Sequence, residues 1–290
     1  MLKTIDHIQL ATPNARETAT GWQNFIGAEF LDESRVNTLG AKRIRFRIGR
    51  SIVEFLEPDG PGPVEEAIKS RGRAHLFAAG ITTDNFDDVI NRLEKKGVDT
   101  VLDQDQAFFD ASDFIGAQGR MVLSPYEERP VVGNAEYFYE ATLLTEDTPG
   151  VASRIADLFG LDQENFVPIE SEHFEYGGTL TLFDSNELHR FEVIEPFPGK
   201  QTMRRFFERT GSCYYMAFVQ SDALLTIERE VGASGLGMTI NRPEDRDGDI
   251  TPDELWVHPP ALGGMMLGMS RPSMAWRWSG YPDRVRQLEP

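Results

Sequence analysis

Residues 51–80 contain the most informative fold pattern of this chain, SIVEFLEPDGPGPVEEAIKSRGRAHLFAAG. It predicts a strand that ends in Glu-Phe-Leu-Glu-Pro, a short helical link, and a second strand that begins near His75. Glu54 and His75 would then lie on neighbouring strands. A carboxylate and an imidazole are costly to bury unless a positive charge compensates them, and a divalent metal is the usual candidate.

The same order of elements recurs four times along the chain. The first copy has a strand at residues 4–11, a helix that ends at Gly27, and strands near residues 28–35, 41–48 and 51–57. A second copy runs from residue 74 to residue 125. After a polar, proline-bearing linker at residues 126–134, two more copies begin near residues 137 and 213. The phrase EFLEP at residues 54–58 matches EVIEP at 192–196, as expected of duplicated βαβββ units.

Composition excludes several classes of protein. The 290 residues carry a formal charge of −18, from 29 basic and 47 acidic side chains, so nucleic acid and anionic membranes are not expected partners. The single cysteine, Cys213, excludes an internal disulfide. The chain has no run of about 18 apolar residues that would span a membrane, and its N-terminus enters a strand pattern at once. We therefore expect a soluble, cytoplasmic protein.

Side-chain alternation places three polar residues on one face of the predicted sheet. On the first strand, Ile8 and Leu10 suit the helix side, which puts His7 and Gln9 on the opposite face. On the fourth strand the flanking Val53 and Phe55 suit the helix side, which puts Glu54 on that same opposite face. The three candidates His7, Glu54 and His75 can therefore converge.

Three arginines share one face of the third strand, KRIRFRIG. Arg43, Arg45 and Arg47 alternate with apolar residues that should meet the helices. Arginine in this place would bind a carboxylate or an enolate. The alternative is an ordinary strand with one face in bulk solvent. Alternation alone does not distinguish such a strand from one whose polar face lines a hydrated ligand site.

Four βαβββ units with these phrases resemble the vicinal oxygen chelate superfamily, which includes glyoxalase I, methylmalonyl-CoA epimerase, bleomycin-resistance proteins and extradiol dioxygenases. The phrases IDHIQLA, VEFLEP, SRG-x-AHLFA and FDDVINRLEKKGV look much like methylmalonyl-CoA epimerase. The resemblance implies an α+β protein in which four modules form two cupped mixed sheets, in domains at residues 1–125 and 135–290. Helices would cover the convex side, and a divalent metal would lie on the concave side. A homodimer is compatible with it, since superfamily members exchange units between chains.

The resemblance also implies a ligand set in the first half. The family's metal-ligand positions fall on His7, Glu54 and His75, while the fourth falls near Leu123, which is a departure. A set of two histidines and one carboxylate leaves coordination positions open, and the metal could be Fe, Zn, Co, Ni or Mn. The alternative is that the histidines are structural or solvent-facing and Glu54 is a surface carboxylate.

In the second half the equivalent positions fall on Glu140, Glu192, about Tyr214 (Cys213 and Tyr215 being the alternatives) and Gly268, so this copy has no histidine ligand. Two carboxylates hold a transition metal weakly, which favours a structural or substrate-covering role. His189 is interpreted as a surface residue.

Three functions remain open. A metal-dependent lyase or isomerase of the glyoxalase or epimerase type would chelate a small oxygenated, carboxylate-bearing substrate and stabilise an enolate, with Arg43, Arg45 and Gln9 as catalytic candidates. Arg43 stands near the place of the epimerase's catalytic glutamate, which puts that proton abstraction in doubt. The alternatives are an extradiol ring-cleaving dioxygenase with a 2-His-1-carboxylate iron, and a metal-free binding protein of the bleomycin-resistance type.

An acidic loop near the C-terminus imitates a calcium site. Residues 243–254, PEDRDGDITPDE, match part of an EF-hand loop, but proline stands at the first ligand position and no helices flank the loop. We interpret it as a solvated loop.

Overall fold

The computed structural model describes residues 2–242 and 250–287, so the part of the acidic loop at residues 243–249 lies outside the described residues. Strands of the first half are Leu2–Ala11 (β1), Glu29–Val36 (β2), Ala41–Ile48 (β3), Ser51–Pro58 (β4), His75–Thr83 (β5), Val101–Asp103 (β6), Gln106–Asp110 (β7) and Arg120–Pro125 (β8). Those of the second half are Tyr137–Leu144 (β9), Phe166–Ser171 (β10), Tyr176–Leu182 (β11), Arg190–Pro196 (β12), Cys213–Gln220 (β13), Met238–Asn241 (β14), Glu254–Val257 (β15) and Met266–Ser270 (β16).

The helices are short and separate the strands as the repeat predicts. They are Ala15–Gly21 (α1), Pro63–Arg71 (α2), Phe86–Lys95 (α3), Ser112–Ile115 (α4), Thr148–Phe159 (α5), Thr202–Thr210 (α6) and Leu224–Ser234 (α7). The side chain of Asn14 accepts a hydrogen bond from the backbone N–H of Glu17 and so caps α1. One π-helical turn, Trp22–Ile26, follows, and Gly27 ends it at a positive φ of 72°. None of these helices in the described part of the chain has the length and apolar character that a membrane crossing requires.

The strands form two mixed sheets of eight strands with the same internal order. The first is β2-β3-β4-β1-β5-β8-β7-β6, and the second is β10-β11-β12-β9-β13-β16-β15-β14. In each sheet the first and fourth strands of a module pair in parallel, while the other strands of the module pair antiparallel. Parallel pairing of these two strands requires the crossover that each module's helix and hairpin provide. The predicted fold class, α+β with four βαβββ modules in two mixed sheets, is confirmed.

Aromatic packing fixes which face of the first sheet meets the helices. The rings of Trp22 and Phe55 lie 6.1 Å apart, and those of Phe55 and Phe46 lie 5.7 Å apart, both edge to face. Phe55 is fully buried, and alternation along β4 then turns Glu54 to the opposite face. The strand-by-strand prediction of apolar and polar faces holds for β3 and β4.

Contacts between Cα atoms divide the chain into two compact units. One contains residues 6–76, 128–139 and 216–290, and the other contains residues 1–5, 77–127 and 140–215. In the first unit the indole of Trp22 donates to the carbonyl oxygen of Leu262 at 3.0 Å. In the second, the guanidinium of Arg92 on α3 donates to the carbonyl oxygen of Leu158 on α5 at 2.8 Å. The domain limits at residues 1–125 and 135–290 stay a prediction.

The linker is held against the first module by backbone and side-chain hydrogen bonds. Gly49 N–H donates to Val132 O at 2.8 Å, and Arg47 Nη2 donates to Pro130 O at 2.7 Å. Gly133 has a φ of 67°, and a Cβ atom there would lie 2.4 Å from the carbonyl oxygen of Gly27. The linker therefore follows a defined path over residues 128–134, which places Arg129 beside β1.

Candidate functional site

Five predicted side chains lie on the face of the first sheet that points away from the α1 helix. We call this group the first-sheet site; its members are His7 and Gln9 on β1, Arg43 and Arg45 on β3, and Glu54 on β4. In register, Gln9 stands opposite Glu54 on one side and Arg45 stands opposite Glu54 on the other. The three residues therefore form one row across three strands, as alternation predicts.

Glu54 is fully buried and its carboxylate is already bonded within the protein. Gln9 Nε2 donates to Glu54 Oε2 at 2.6 Å, and Arg43 Nη1 lies 3.8 Å from Glu54 Oε1. Arg43 itself is only 2% exposed, and its Nε donates to Ser34 Oγ at 3.1 Å. An arginine cation thus compensates the carboxylate where the resemblance places a metal.

Arg45 also binds a carboxylate of the protein. Its Nε donates to Asp32 Oδ1 at 2.8 Å, across the β2–β3 pair. This hydrogen bond holds the pKa of Asp32 below its ordinary value of 3.8. Two of the third-strand arginines therefore face carboxylates of the protein itself: Arg45 faces Asp32, and Arg43 faces Glu54.

Two atoms of the site keep open hydrogen-bonding capacity. His7 is 2% exposed and Gln9 is 0% exposed, and within the described residues neither His7 Nε2 nor Gln9 Oε1 has a hydrogen-bond partner. Buried polar atoms are nearly always paired with protein, water or ligand. These two atoms therefore indicate where a bound molecule would make its contacts.

A carboxylate stands on the other side of the His7 ring. Asp6 Oδ2 lies 3.6 Å from His7 Nδ1, and Arg129 Nη1 from the linker lies 3.0 and 3.1 Å from the two oxygens of Asp6. Burial raises the pKa of Asp6, but its interactions with His7 and Arg129 outweigh burial and hold the pKa below 3.8. Asp6 is not among the residues that alternation predicts for this site, because adjacent residues of a strand are expected on opposite faces.

His75 lies at the start of β5 and is half-buried. Its Nδ1 donates to the carbonyl oxygen of Arg73 at 2.9 Å. Burial, together with the charges of Arg71 and Arg73, lowers the pKa of His75 to about 4 despite that hydrogen bond. The ring is therefore neutral at physiological pH, with cationic neighbours.

We expect the imidazole of His75 to titrate near pH 4 rather than near 6.5, as followed by its ring resonances in NMR. Because the unfolded imidazole gains a proton below 6.5 and the folded one only near 4, the stability that His75 contributes is present above 6.5 and is lost as pH falls between these values. Replacing Arg71 and Arg73 by glutamine should raise the titration midpoint. A wild-type midpoint near 6.5 would contradict the burial of the ring.

The donor set does not fit a resident metal. Over residues 2–242 and 250–287, no group of three or more His, Cys, Asp or Glu side chains is assembled to hold a metal ion. Of the three predicted ligands, Glu54 is paired with Arg43, and His75 has two arginine charges beside it. At the fourth position Leu123 is fully buried and offers no donor atom. No step of a reaction is therefore assigned here to a metal.

The second sheet carries a buried polar group at the same register. We call it the second-sheet site; its members are Glu140, Thr142, Tyr176, Arg190 and Glu192. Thr142 Oγ1 donates to Glu192 Oε2 at 2.7 Å, and Arg190 Nε donates to Glu140 Oε2 at 2.7 Å. The phenol of Tyr176 donates to Glu192 Oε1 at 3.3 Å. Burial raises the pKa of Glu192, and the neighbouring charge of Glu140 raises it further.

The structure places the other second-half candidates as follows. Tyr214 is buried, and burial raises the pKa of its phenol. Gly268 offers no side chain, and a Cβ atom there would lie 2.3 Å from the ring of Phe218. His189 is buried rather than exposed, and its Nδ1 accepts a hydrogen bond from the backbone N–H of Ile5 at 3.2 Å. The interpretation of His189 as a surface residue is wrong.

Residues 4–120 match the family model of the glyoxalase/bleomycin resistance protein/dioxygenase superfamily. The order β2-β3-β4-β1-β5-β8-β7-β6 recurs in the second sheet, so the rest of the chain repeats the architecture of the matched segment. The match places residues 4–120 in this superfamily. The resemblance to vicinal oxygen chelate proteins is thereby confirmed, whereas the particular likeness to methylmalonyl-CoA epimerase stays a prediction.

Two solved structures share the fold of this chain along most of its length. A triply substituted 4-hydroxymandelate synthase from Streptomyces coelicolor is 12% identical, with a TM-score of 0.69, and the match covers 98% of this chain and 99% of that one. A xylose isomerase-like TIM barrel/4-hydroxyphenylpyruvate dioxygenase fusion protein is 9% identical, with a TM-score of 0.63, and the match covers 93% of this chain and 49% of the fusion protein. No curated protein matches the chain by sequence. At these identities the likeness is one of fold.

Proposed function

We propose that the chain binds a small oxygenated molecule at the first-sheet site without a metal, in the manner of the superfamily's metal-free binding proteins. The observation that carries the proposal is the bonding of Glu54. Its two oxygens face Gln9 Nε2 and Arg43 Nη1, so the acid that would anchor a metal is internally compensated. The atoms left for a ligand are His7 Nε2 and Gln9 Oε1, both buried.

The pairing of Arg43 with Glu54 also disfavours a carboxylate on the ligand. Arg43 is bonded to Ser34 and faces Glu54, so a ligand carboxylate would have to compete with a buried carboxylate of the protein. Separating a buried ion pair leaves one charge uncompensated, which is costly. The proposed ligand therefore carries hydroxyl groups rather than a carboxylate.

A metal-dependent enzyme is the second candidate. Superfamily membership favours it, and so does one feature of His7, whose Nδ1 faces a carboxylate while Nε2 is open to the site. Metal-ligating histidines commonly have this outer-shell partner. Lyase or isomerase activity of the glyoxalase or epimerase type and ring-cleaving dioxygenase activity both belong to this candidate. The remaining two predicted ligands do not support it.

Elemental analysis separates the candidates. We expect protein purified without a chelator to contain metal far below one equivalent per chain. One equivalent of iron would overturn the proposal in favour of a dioxygenase, and one equivalent of zinc, cobalt, nickel or manganese would overturn it in favour of a lyase or isomerase. As a control, the His7→Ala/His75→Ala variant should then lose the metal; retained metal would move the site elsewhere in the chain.

A further inference from the structure

We infer that Asp6 and Arg129 are positioning residues that hold His7 in the tautomer with its proton on Nδ1, so that His7 Nε2 and Gln9 Oε1 both accept hydrogen bonds from hydroxyl groups of the ligand. The ligand half of this inference rests on the proposed function. The tautomer half concerns only side chains of the chain itself, and it can be tested without any ligand.

The tautomer follows from what stands on each side of the imidazole. A neutral imidazole carries one N–H and one lone pair, and the environment of the two nitrogens decides which is which. Asp6 Oδ2, 3.6 Å from Nδ1, presents negative charge to that nitrogen and favours the proton there. Nε2 has no partner of either kind in the described part of the chain, so it is left as the acceptor.

Arg129 keeps the Asp6 carboxylate in that place. Its Nη1 lies within 3.1 Å of both oxygens, and it also donates to the carbonyl oxygen of Arg50 at 3.3 Å. The guanidinium thus ties the linker, the turn after β3 and the carboxylate together. A residue in the connection between the two halves therefore determines which nitrogen of His7 is free to meet a ligand.

Gln9 has an equally defined role. Its Nε2 donates to Glu54 Oε2, so the amide cannot flip without losing that 2.6 Å hydrogen bond, and Oε1 is the atom left open. An amide oxygen only accepts. The site therefore offers two acceptors, two residues apart on one face of β1, and roughly 6.6 Å separates residues so spaced along a strand.

Two buried acceptors select the chemistry of the ligand. An anion or an ether offers only acceptor oxygens. These would face Gln9 Oε1 or the lone pair of His7 Nε2 without forming a hydrogen bond. An ammonium group could donate, but the Arg43 guanidinium, 3.8 Å from Glu54 Oε1, disfavours a second cation on this face. Neutral hydroxyl groups donate without adding charge. A molecule with two separated hydroxyls satisfies both acceptors.

The tautomer is tested by ¹⁵N NMR of the histidine rings at neutral pH. In wild type we expect the His7 ring to show a protonated Nδ1 and an unprotonated Nε2. Asp6→Asn should lose this preference, Arg129→Gln should weaken it, and Arg129→Lys should restore it by keeping the cation. A wild-type ring with its proton on Nε2 overturns the inference, and so does an Asp6→Asn spectrum identical to wild type.

Arg47→Gln is the matched control for the linker. Arg47 also holds the linker, but through a hydrogen bond to Pro130 O rather than through the Asp6 carboxylate. If loosening of the linker alone moved the proton, Arg47→Gln and Arg129→Gln would give the same spectra, and the positioning role would be refuted. We expect the Arg47→Gln spectrum to match wild type.

The ligand class is tested with resorcinol and 1,3-dimethoxybenzene, which share a ring but differ in hydrogen-bond donors. Resorcinol lacks vicinal oxygens, so its binding does not depend on chelation. In the presence of a chelator we expect resorcinol to bind more than about tenfold more tightly than the diether, and Gln9→Met to remove most of the difference. Equal binding of the two probes, or binding of neither, refutes the ligand class, whereas only metal analysis refutes the proposed function.

Discussion

Replacing Arg43 by methionine is expected to destabilise the fold by about 3–5 kcal/mol, measured by urea unfolding, because it removes the guanidinium that faces the buried Glu54 carboxylate. Glu54 is 0% exposed, so water cannot take over the role of the guanidinium. Methionine fills a similar volume and retains the apolar contacts of the side chain. The loss therefore reports the charge rather than a cavity.

Two variants make this expectation specific. The double change Arg43→Met/Glu54→Gln removes both charges and keeps an amide beside Gln9, so we expect it to recover most of the lost stability. Arg45→Met removes a cation whose partner, Asp32, has a side chain 38% exposed, so its cost should be about 1 kcal/mol or less. Equal losses for Arg43→Met and Arg45→Met would show that burial of the Arg43–Glu54 pair does not matter.

Replacing Arg190 by methionine should have a comparable effect on the second sheet, again about 3–5 kcal/mol. Arg190 Nε donates to Glu140 Oε2 at 2.7 Å, and both side chains are buried. Without the guanidinium, Glu140 and Glu192 would share one buried location with no cation at this position. The combination Arg190→Met/Glu140→Gln should recover most of the loss, and failure to recover would locate the effect in packing.

This second loss should also depend on pH in a defined direction. The folded state holds the pKa of Glu192 above its ordinary value of 4.5, so above pH 4.5 this carboxyl binds more protons in the folded state than in the unfolded chain. The contribution of Glu192 to stability therefore falls as pH rises above 4.5. Removing the positive charge of Arg190 should steepen the fall, and Glu192→Gln should flatten it. An unfolding free energy with the same pH dependence in wild type and in Glu192→Gln would contradict the raised pKa of Glu192.

The fold was largely predictable because its signals are local. Alternation with period two placed β3 at residues 41–48 and β4 at 51–57, and a glycine marked the helix end at Gly27. The match between EFLEP and EVIEP also corresponds to a shared register, since Glu54 and Glu192 occupy equivalent pairings with β1 and β9. Such patterns depend on residues close together in the chain.

The bonding within the sites could not be predicted in the same way. Alternation placed Arg43 and Glu54 on one face, but whether a long side chain pairs with a neighbour or waits for a ligand depends on its rotamer and on burial. Arg129 reaches Asp6 across 123 positions of sequence, and no local pattern reports such a contact. Arg190 could have been suspected, because it stands two residues before Glu192 and therefore on the same face of β12.

Because the two sheets share one register, each residue of the first-sheet site has a counterpart at the same place in the second sheet. Gln9 opposite Glu54 corresponds to Thr142 opposite Glu192, and His7 opposite Ile52 corresponds to Glu140 opposite Arg190. Both sites have a glutamate at the position of Glu54 and Glu192. The other three of these four paired positions carry different side chains in the two sheets. Divergence of the duplicated halves at this place needs no movement of the backbone. A few exchanged side chains suffice to turn a site with two open acceptors into one with two neighbouring buried acids, which makes these positions a compact target for laboratory evolution of either half.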